Sequence, residues 1–499
     1  MNRFGAALGV PGGWALFLLW ITIVLAGCGT RTLPAPAPVV PQVRAPVAPS
    51  TVAFATMPSR HVLTQQDSIE KPIPRRGQQS LLVLLVDFPD QAGLFTGQAW
   101  QAYFFGSGGF ADYYTEVSYR QLRYQGDVIG MADGIPTANS DTVAYIRLPH
   151  PLTFYADDGY GFDVSGGQFP QNHGGVVTHA LQALDQAGFN FAPYATPGTN
   201  EVENLLVIFA GSSYAYTGDA HNSLEATAYR LAFAGGGIYQ ARGGQRFDNY
   251  TFCPDQFGDL SGQQARIGVC VHEHGHALGM PDLYDFSYTT TGVGNFDLMA
   301  YGTFGATEGL RPFHLGAFAK EFLGWSRPTI VPNGTLTVTL GPSAVENNLL
   351  KLVPFGDATS SEYFLLENRQ PLGFEQEWRA AGLCPGLLIW HIDQHIVADY
   401  PYAVNTLTVA GGPPHPGVAV MEADGGFDLV RPPLNYGDCG DAWQPGQRWN
   451  DASPAGAKLW DGRASGLAVT VLREEEGVLT LRIEASALTV RTYLPYVVQ

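Results

Sequence analysis

The chain has 499 residues, which allows two or three domains, since one hydrophobic core rarely grows beyond about 250–300 residues. Hydrophobic residues make up 45% of the chain and charged residues only 14%, with 60 glycines and 35 prolines, which is typical of a folded, loop-rich and β-rich protein outside the cytosol. The net charge of −18 argues against nucleic acid or an anionic membrane surface as a partner, because both require a basic surface.

The N-terminal segment, residues 1–27, is predicted to be a signal peptide. Arg3 precedes an apolar run over residues 14–26, which is short for a membrane-spanning helix of about 20 apolar residues. The run closes with Leu-Ala-Gly-Cys at Cys28, which resembles the bacterial lipobox, in which the cysteine is lipidated. An ordinary signal peptide and an uncleaved anchor are the alternatives. All three predict export, and the lipobox adds a lipid anchor to a membrane at the cell surface.

Residues 28–77 are predicted to form a tether. Prolines recur every few positions over residues 33–50, and this favours an extended polyproline II conformation that cannot pack a core. The polar stretch that follows ends near residues 75–77, where we place a boundary. A plain linker and a short propeptide are both compatible with this stretch.

The catalytic domain is predicted to cover residues 78–328. Two apolar runs, residues 81–90 and 204–213, indicate strands buried on both faces. Between them, residues 110–122 indicate a helix followed by a strand, and residues 174–188 have the apolar spacing of a helix that ends at a glycine. Alternating strands and helices predict an α+β domain with a mixed sheet covered by helices.

The C-terminal part of the chain has a different pattern from about Pro328 onward. Short alternating runs are separated by Gly/Pro turns, which predicts an all-β, sandwich-like domain over residues 329–490, followed by a tail over residues 491–499. The runs cover residues 335–340, 362–368, 386–393, 417–425 and 467–484.

A candidate zinc site lies in the stretch VHEHGHALGMPDLYD, residues 271–285. We predict a helix over residues 263–279, with Ser261 as a possible cap. His272 and His276 are four residues apart, so their imidazoles lie on one face of the helix, as a single tetrahedral metal requires. Glu273 can reach a water on the metal without ligating it, which is the placement of a general base.

The residues after the helix strengthen this prediction. Gly279 permits a sharp turn with a positive φ that brings Asp282 back to the metal as the third ligand, with the fourth position left for water. Asp285 is the alternative third ligand, or otherwise a partner for a histidine N–H. Met299 lies in a compact stretch, residues 294–302, that is similar to the Met-turn of metzincins.

These motifs resemble the immune inhibitor A family of secreted bacterial zinc metallopeptidases, a metzincin-like group. The resemblance rests on HEHGHALGMPDLYD with the downstream DLMAYG, and it extends over most of the mature chain through LLVLLVDFPD, YYTEVSYRQL, YFLLENRQPLGFEQ, PGLLIWHIDQH and VAVMEADGG. It implies that His272, His276 and Asp282 hold zinc. It also implies that Glu273 is the catalytic base and that Met299 forms the hydrophobic floor below the metal.

Tyr301 is a further catalytic candidate, because it sits where some other metzincins place a tyrosine beside the metal. There it could polarise the scissile carbonyl or stabilise the oxyanion. An ordinary packed tyrosine is the alternative.

Cysteines and acidic residues suggest two further features. Apart from Cys28, the chain has four cysteines, an even number for an oxidising compartment, and sequence proximity favours the pairs Cys253–Cys270 and Cys384–Cys439 over free buried thiols. Asp438 and Asp441 lie among glycines beside Cys439, and such an oxygen-rich loop can bind Ca²⁺. A turn pinned by a disulfide is the alternative.

The sequence therefore predicts a lipid-anchored, surface-exposed zinc endopeptidase that acts on polypeptides, with a monomer assumed and no nucleic-acid partner. The mechanism would use a zinc-bound water activated by Glu273. One alternative is a non-catalytic surface binding protein with a structural zinc site. The other is a zinc amidase that acts on cell-wall peptides. A serine hydrolase is disfavoured, because the Gly-Ser-Ser at residues 211–213 lacks the Gly-x-Ser-x-Gly pattern.

Overall fold

The computed structural model describes residues 72–162, 168–258, 262–407 and 411–487. The predicted signal peptide, the lipidation site Cys28, the proposed cap Ser261 and the tail 491–499 lie outside the described residues. Within the described ranges, no helix is both long enough and apolar enough to cross a membrane.

The strands form the sheets that position the site. In chain order they are β1 (Gly77–Asp87), β2 (Leu122–Ala132), β3 (Ile135–Ala138), β4 (Ile146–Arg147), β5 (Leu205–Phe209), β6 (Thr227–Arg230), β7 (Tyr239–Gln240), β8 (Arg246–Phe247), β9 (Asn249–Pro254), β10 (Thr329–Ile330), β11 (Gly334–Leu340), β12 (Leu350–Leu352), β13 (Glu362–Arg369), β14 (Gly386–Asp393), β15 (Val418–Val420), β16 (Arg448–Asn450), β17 (Leu467–Glu475) and β18 (Val478–Ala485).

The α-helices lie mainly in the first half of the described chain. They are α1 (Gly97–Phe105), α2 (Phe110–Val117), α3 (Leu152–Ala156), α4 (His173–Gln186), α5 (Tyr214–Thr217), α6 (Ile267–Ala277), α7 (Ala317–Phe322) and α8 (Gln394–Asp399). Single 3₁₀ turns span Ala192–Tyr194, Gly294–Phe296, Tyr301–Thr303, Gly305–Thr307, Pro354–Gly356, Gly373–Glu375 and Trp378–Ala381.

The largest sheet has the strand order β3-β2-β1-β5-β9-β6, with β4 beside β1. Strand β1 is parallel to β2, β4 and β5, and β9 is parallel to β5 but antiparallel to β6. The two central strands, β1 and β5, are the apolar runs predicted as buried strands, and the side chains of β5 are buried along its whole length. Parallel strands in the centre of a sheet are covered by other elements on both faces, which explains why β1 and β5 are continuously apolar. The predicted α+β class is confirmed.

The C-terminal half contains a five-stranded sheet, β10-β12-β13-β14-β15, and a four-stranded sheet, β11-β18-β17-β16. Strands β13 and β14 are buried on both faces. Leu365 and Trp390 belong to the core shared with the first half of the chain, whereas Phe364 and Ile389 belong to a second core shared with the four-stranded sheet. The metzincin-like and sandwich-like assignments stay predictions.

The residues just before β1 are packed against the body. Ile73 is buried and its N–H donates to Ala277 O at 3.0 Å, and Arg75 Nε donates to Leu278 O at 2.7 Å. Trp325 Nε1 donates to Arg75 O at 2.7 Å. These residues therefore hold the C-terminal end of α6. All described residues belong to one compact unit, Pro46–Gln499, and the predicted domain boundaries stay predictions.

The cysteines differ from one of the two predicted pairings. Cys384 and Cys439 form a disulfide, with their Cα atoms 4.5 Å apart. Cys253 on β9 and Cys270 on α6 are buried free thiols, so the predicted Cys253–Cys270 bond is wrong. Burial raises the pKa of the Cys253 thiol well above its usual range, and a thiol kept protonated is a poor starting point for oxidation.

Candidate metal centre

Helix α6 carries the histidine pair and packs against strands β6 and β9. It begins at Ile267, later than the predicted Gln263, because the preceding residues are extended and paired elsewhere. Gln264 forms a β-bridge with Gln256, and the N–H of Ala265 donates to Asp255 O at 2.9 Å. The helix ends where predicted, since Gly279 has a φ of +96° that few other residues adopt without strain.

His272, His276 and Asp282 form a buried cluster. Asp282 Oδ1 lies 3.1 Å from His272 Nε2 and 3.3 Å from His276 Nε2, and Asp282 is fully buried. Two ligands at about 2.0–2.1 Å from a tetrahedral zinc lie roughly 3.3 Å from each other. The donor set of two imidazoles and one carboxylate therefore fits zinc in chemistry and in spacing, and the predicted third ligand Asp282 lies with the histidines.

The other nitrogen of each imidazole is fixed by a hydrogen bond. His272 Nδ1 donates to Leu298 O at 2.9 Å and lies 2.8 Å from Thr303 Oγ1, and His276 Nδ1 donates to Met280 O at 2.8 Å. A carbonyl oxygen only accepts, so Nδ1 carries the proton in both rings and both Nε2 atoms are left for a metal. Thr303 was not identified from the sequence, because it lies 31 residues after His272.

Electrostatics favour an ionised aspartate in the cluster. Burial acts to raise the pKa of Asp282, but the neighbouring His276 and His272 imidazoles outweigh it and hold this pKa well below its usual range. A carboxylate that stays ionised in a buried position is suited to bind a cation.

The turn that contains Met299 lies directly beneath the helix. A Cβ added to Gly275 would come within 2.6 Å of Met299 Sδ, so only a glycine lets the methionine approach this closely. Leu283 N donates to Met299 O at 2.8 Å, which ties the turn to the Asp282 loop. The C-terminal half also supports the turn, since Arg369 Nη1 donates to Phe296 O at 2.9 Å.

Glu273 faces a cleft beside the cluster. The cleft is also lined by His272, Glu225, Tyr288 and Tyr301. Burial raises the pKa of Glu273, and the two ligand histidines act in the opposite direction. Asp282 thus places one carboxylate beside the two histidines, and Glu273 places a second carboxylate in the wall of the adjoining cleft.

Tyr301 lines this cleft, as the prediction of a catalytic role requires. Its ring packs against Tyr436 with centroids 4.4 Å apart and against Tyr284 at 6.4 Å, and burial raises the pKa of its hydroxyl above the usual range. Its catalytic role stays a prediction.

Glu225 is a cleft residue that the sequence analysis missed. It is buried and accepts hydrogen bonds from Ser213 Oγ and from Ala226 N, the latter at 2.9 Å. Burial raises its pKa to about 7, an effect that the Ser213 hydrogen bond opposes and Glu273 reinforces. Glu225 precedes β6, and no spacing pattern connects that strand to the histidine motif.

Asp285 does not join the cluster. Its carboxylate accepts hydrogen bonds from Ser287 N at 2.8 Å, Thr289 Oγ1 at 2.9 Å and Thr290 N at 3.1 Å. Both Nδ1 atoms of the ligand histidines have other partners, so the alternative roles predicted for Asp285, third ligand or partner of a histidine N–H, are not found. Instead this side chain holds the loop that follows Asp282.

His274, between the two ligands in sequence, points to the opposite side of α6. Its Nδ1 lies 2.9 Å from Thr251 Oγ1, its Nε2 lies 2.8 Å from Tyr124 OH, and its ring contacts the ring of Phe110. Burial lowers its pKa to about 3. This neutral histidine anchors the helix to the sheet.

Comparison with known proteins gives one family match and several relatives. Residues 240–327 match the family model described as Immune inhibitor A peptidase M6, catalytic domain. Pre-pro-metalloprotease PrtV of two Vibrio cholerae serotype O1 strains, M66-2 and ATCC 39315 / El Tor Inaba N16961, is 45% identical over 62 residues, which are 12% of this chain and 7% of that protein. Immune inhibitor A of Bacillus thuringiensis subsp. alesti is 26% identical over 222 residues, 38% of this chain and 30% of that protein.

The chain thus spans less than a third of the length of these curated relatives. The matched residues 240–327 nevertheless contain the whole ligand cluster, Glu273 and Met299. Together, the geometry of the cluster and these matches confirm the resemblance to the immune inhibitor A (peptidase M6) family, whose catalytic-domain model covers residues 240–327.

Proposed function

We propose that the chain is a surface-anchored, zinc-dependent endopeptidase that hydrolyses peptide bonds of extracellular proteins. The observation that carries the proposal is the buried cluster in which Asp282 Oδ1 lies 3.1 and 3.3 Å from the Nε2 atoms of His272 and His276, with Glu273 in the wall of the adjoining cleft. A purely structural zinc site has no need of that carboxylate, which argues against the alternative of a binding protein.

The residues that would act are Glu273 and Tyr301. When bound, zinc supplies a Lewis acid that polarises a carbonyl and makes water more acidic. Glu273 takes the proton of the water that attacks the peptide carbonyl, and it then donates that proton to the leaving amine. Tyr301, on the same cleft, donates its hydroxyl proton in a hydrogen bond to the carbonyl oxygen as negative charge develops there.

The cleft wall also suggests how a polypeptide is held. Tyr284, Tyr288 and Phe304 line it together with small apolar residues such as Ala215 and Ala300. Aromatic rings bury apolar surface and offer a polar tip, so this wall is suited to an extended peptide with an apolar side chain near the scissile bond.

Export and anchoring rest on the N-terminal sequence. The apolar run over residues 14–26 and the lipobox-like ending at Cys28 support an exported lipoprotein. The disulfide between Cys384 and Cys439 supports an oxidising compartment. A Cys28→Ser variant is expected to leave the membrane fraction, and a variant that stayed membrane-bound would argue against lipidation.

The enzymatic proposal is tested with the full-length protein and two matched substitutions. Glu273→Gln is expected to retain one zinc per chain, measured by mass spectrometry, while its cleavage of casein falls by at least about 10²–10⁴-fold, the usual contribution of a general base. Glu474→Gln, on an exposed part of β17, is the control and is expected to cleave casein like the wild type.

Two results would separate the alternatives. Wild-type protein with stoichiometric zinc that cleaves neither casein nor cell-wall peptides would support the binding protein. Cleavage of cell-wall peptides alone would support the amidase. If Glu273→Gln cleaved casein as fast as wild type, the proposed base would be wrong.

A further inference from the structure

A second group of carboxylates lies in the C-terminal half, away from the histidine cluster. Glu422, Asp428 and Asp441 each place one oxygen within 4.8 Å of the others. Asp424 and Asp438 lie close enough to contribute to the charge felt by Asp428. From the sequence, only Asp438 and Asp441 were identified as candidates. Glu422, Asp424 and Asp428 belong to the segment that follows β15, and only the fold brings this segment close to Asp438 and Asp441.

One oxygen of this group is buried and has no hydrogen-bond partner. Asp441 is fully buried, and its Oδ2 accepts from Asp438 N at 2.7 Å while its Oδ1 has no partner. Asp428 Oδ1 is likewise buried without a hydrogen bond. A buried carboxylate oxygen that lacks a donor costs free energy unless a cation or a proton satisfies it.

Within the described part of the chain, none of these carboxylates forms an ion pair with Lys, Arg or His. The groups that shift the pKa of Asp441 and Glu422 are acidic or neutral. Burial, reinforced by the neighbouring carboxylates, raises the pKa of Glu422 to about 7 and that of Asp441 to about 8. The charge of the group is therefore not balanced by the protein.

The donor set selects the kind of cation. All donors are carboxylate oxygens, and the nearby Cys439 is held in a disulfide, so a hard cation is favoured over zinc. Mg²⁺ usually binds through only one or two carboxylates and keeps several waters, whereas Ca²⁺ takes several carboxylates in a flexible geometry. Three protein carboxylates, those of Glu422, Asp428 and Asp441, therefore favour Ca²⁺.

We propose that Glu422, Asp428 and Asp441 form a calcium site. This site goes beyond the proposed peptidase function and does not depend on it. Backbone carbonyls and waters would complete the coordination shell, as is usual for Ca²⁺.

The site connects to the cleft through the segment between its ligands. Leu429 O accepts from Thr291 N at 2.8 Å, and Tyr436 O accepts from Asn295 N at 2.8 Å, so the acidic segment supports the chain that leads to Met299. The ring of Tyr436 also packs against Tyr301. Bound calcium would therefore stabilise one wall of the cleft together with the turn beneath the histidine cluster.

The test uses full-length protein stripped of metal and titrated with Ca²⁺ alone. Calorimetry is expected to show one site with a Kd in the range of about 0.1–1 mM that is common for extracellular calcium modules. Near 100-fold excess over Kd, the melting temperature is expected to rise by roughly 3 °C for a chain of this size. Absence of binding to folded wild type at 10 mM Ca²⁺, with no rise in melting temperature, would overturn the proposal.

Asp441→Asn distinguishes a ligand from a structural residue. The amide keeps an oxygen for the Asp438 N–H but removes one of the repelling charges, so the variant is expected to melt no lower than wild type without calcium and to lose at least tenfold in Ca²⁺ affinity. Asp428→Asn serves the same purpose if the first variant does not fold. Retention of wild-type Ca²⁺ affinity by either folded variant would overturn the site.

Two controls fix the location. Asp357→Asn, at an exposed aspartate whose carboxylate accepts hydrogen bonds from Thr359 N and Oγ1, is expected to bind calcium like wild type. His276→Ala, which disrupts the histidine cluster, is expected to keep the calcium isotherm. If His276→Ala lost it, the ion would be binding at the histidine cluster and the proposal would be wrong.

Discussion

Substitution of the two aspartates that follow the histidine motif tests the ligand assignment. Asp282→Asn and Asp285→Asn are isosteric, lie three residues apart and both affect fully buried side chains. Asp282 Oδ1 lies 3.1 and 3.3 Å from the two imidazole nitrogens, whereas the Asp285 carboxylate accepts hydrogen bonds from Ser287, Thr289 and Thr290 in the loop that follows it. The first substitution is therefore expected to affect metal binding, and the second to affect stability.

The magnitudes follow from these contacts. Loss of a partner outside the coordination shell commonly lowers metal affinity about 10–100-fold, so loss of the charged ligand Asp282 is expected to cost at least about 100-fold. In Asp285→Asn, the amide oxygen can keep the hydrogen bonds from Ser287, but its NH₂ group faces the Thr290 N–H. One lost charge-assisted hydrogen bond plus one unsatisfied buried donor amounts to about 2.5–6 kcal/mol, or a fall in melting temperature of about 3–7 °C for roughly 400 ordered residues.

The assay measures both quantities on both proteins. Zinc affinity is obtained by competition with a chelating dye, and melting temperature by circular dichroism on the metal-free proteins. Asp285→Asn is expected to bind zinc within about threefold of wild type, well inside the 10–100-fold loss seen for residues that orient ligands. A loss of zinc by Asp285→Asn with full retention by Asp282→Asn would refute the assignment of Asp282 as the third ligand.

Three further outcomes are expected. Gly275→Ala pushes against Met299 Sδ, since its Cβ would lie 2.6 Å away; unfolding in urea should show a loss of about 1–3 kcal/mol, and an unchanged midpoint would contradict the close packing. Tyr301→Phe is expected to lower kcat by on the order of 10²-fold at similar KM. Tyr436→Phe keeps the ring contact and is expected to have the kcat of wild type. If Tyr301→Phe also had the kcat of wild type, Tyr301 would be a packing residue only. Without calcium, the raised pKa values of Glu422, about 7, and Asp441, about 8, mean that the folded state holds more protons than the unfolded state. Stability should therefore fall as pH rises from about 4, where these carboxyls ionise in the unfolded chain, to about 8. In Asp441→Asn, where Asp424, Asp428 and Asp438 remain beside Glu422, the fall should be smaller, and an equal fall would contradict the cause.

The cluster of candidate metal ligands could be predicted from the sequence because it is local. His272, Glu273 and His276 lie within two turns of one helix, and Gly279 fixes the turn that returns Asp282. The hydrogen bonds that orient the imidazoles could not be predicted in the same way, since Thr303 comes from a later turn. Glu225 was missed for the same reason, because it precedes a distant edge strand.

Other predictions failed because contacts made in the fold override local sequence signals. The helix was expected to start near Gln263, but pairing of Gln264 with Gln256 keeps the preceding residues extended. Cys253 and Cys270 are close in sequence yet remain buried thiols. Asp285 is a further example, since its position beside the motif suggested a ligand, and the hydroxyls of Ser287 and Thr289 occupy its carboxylate instead.

Arg369 and Tyr436, which support the Met299 turn, are synthesised later than the turn itself. All residues of the histidine cluster have been synthesised once the chain reaches Asp282. The carbonyl of Phe296 and the N–H of Asn295, however, acquire their partners only after synthesis has reached Arg369 and Tyr436, respectively. We therefore expect the turn beneath the histidine cluster to gain its full support only after the chain has been synthesised as far as Tyr436.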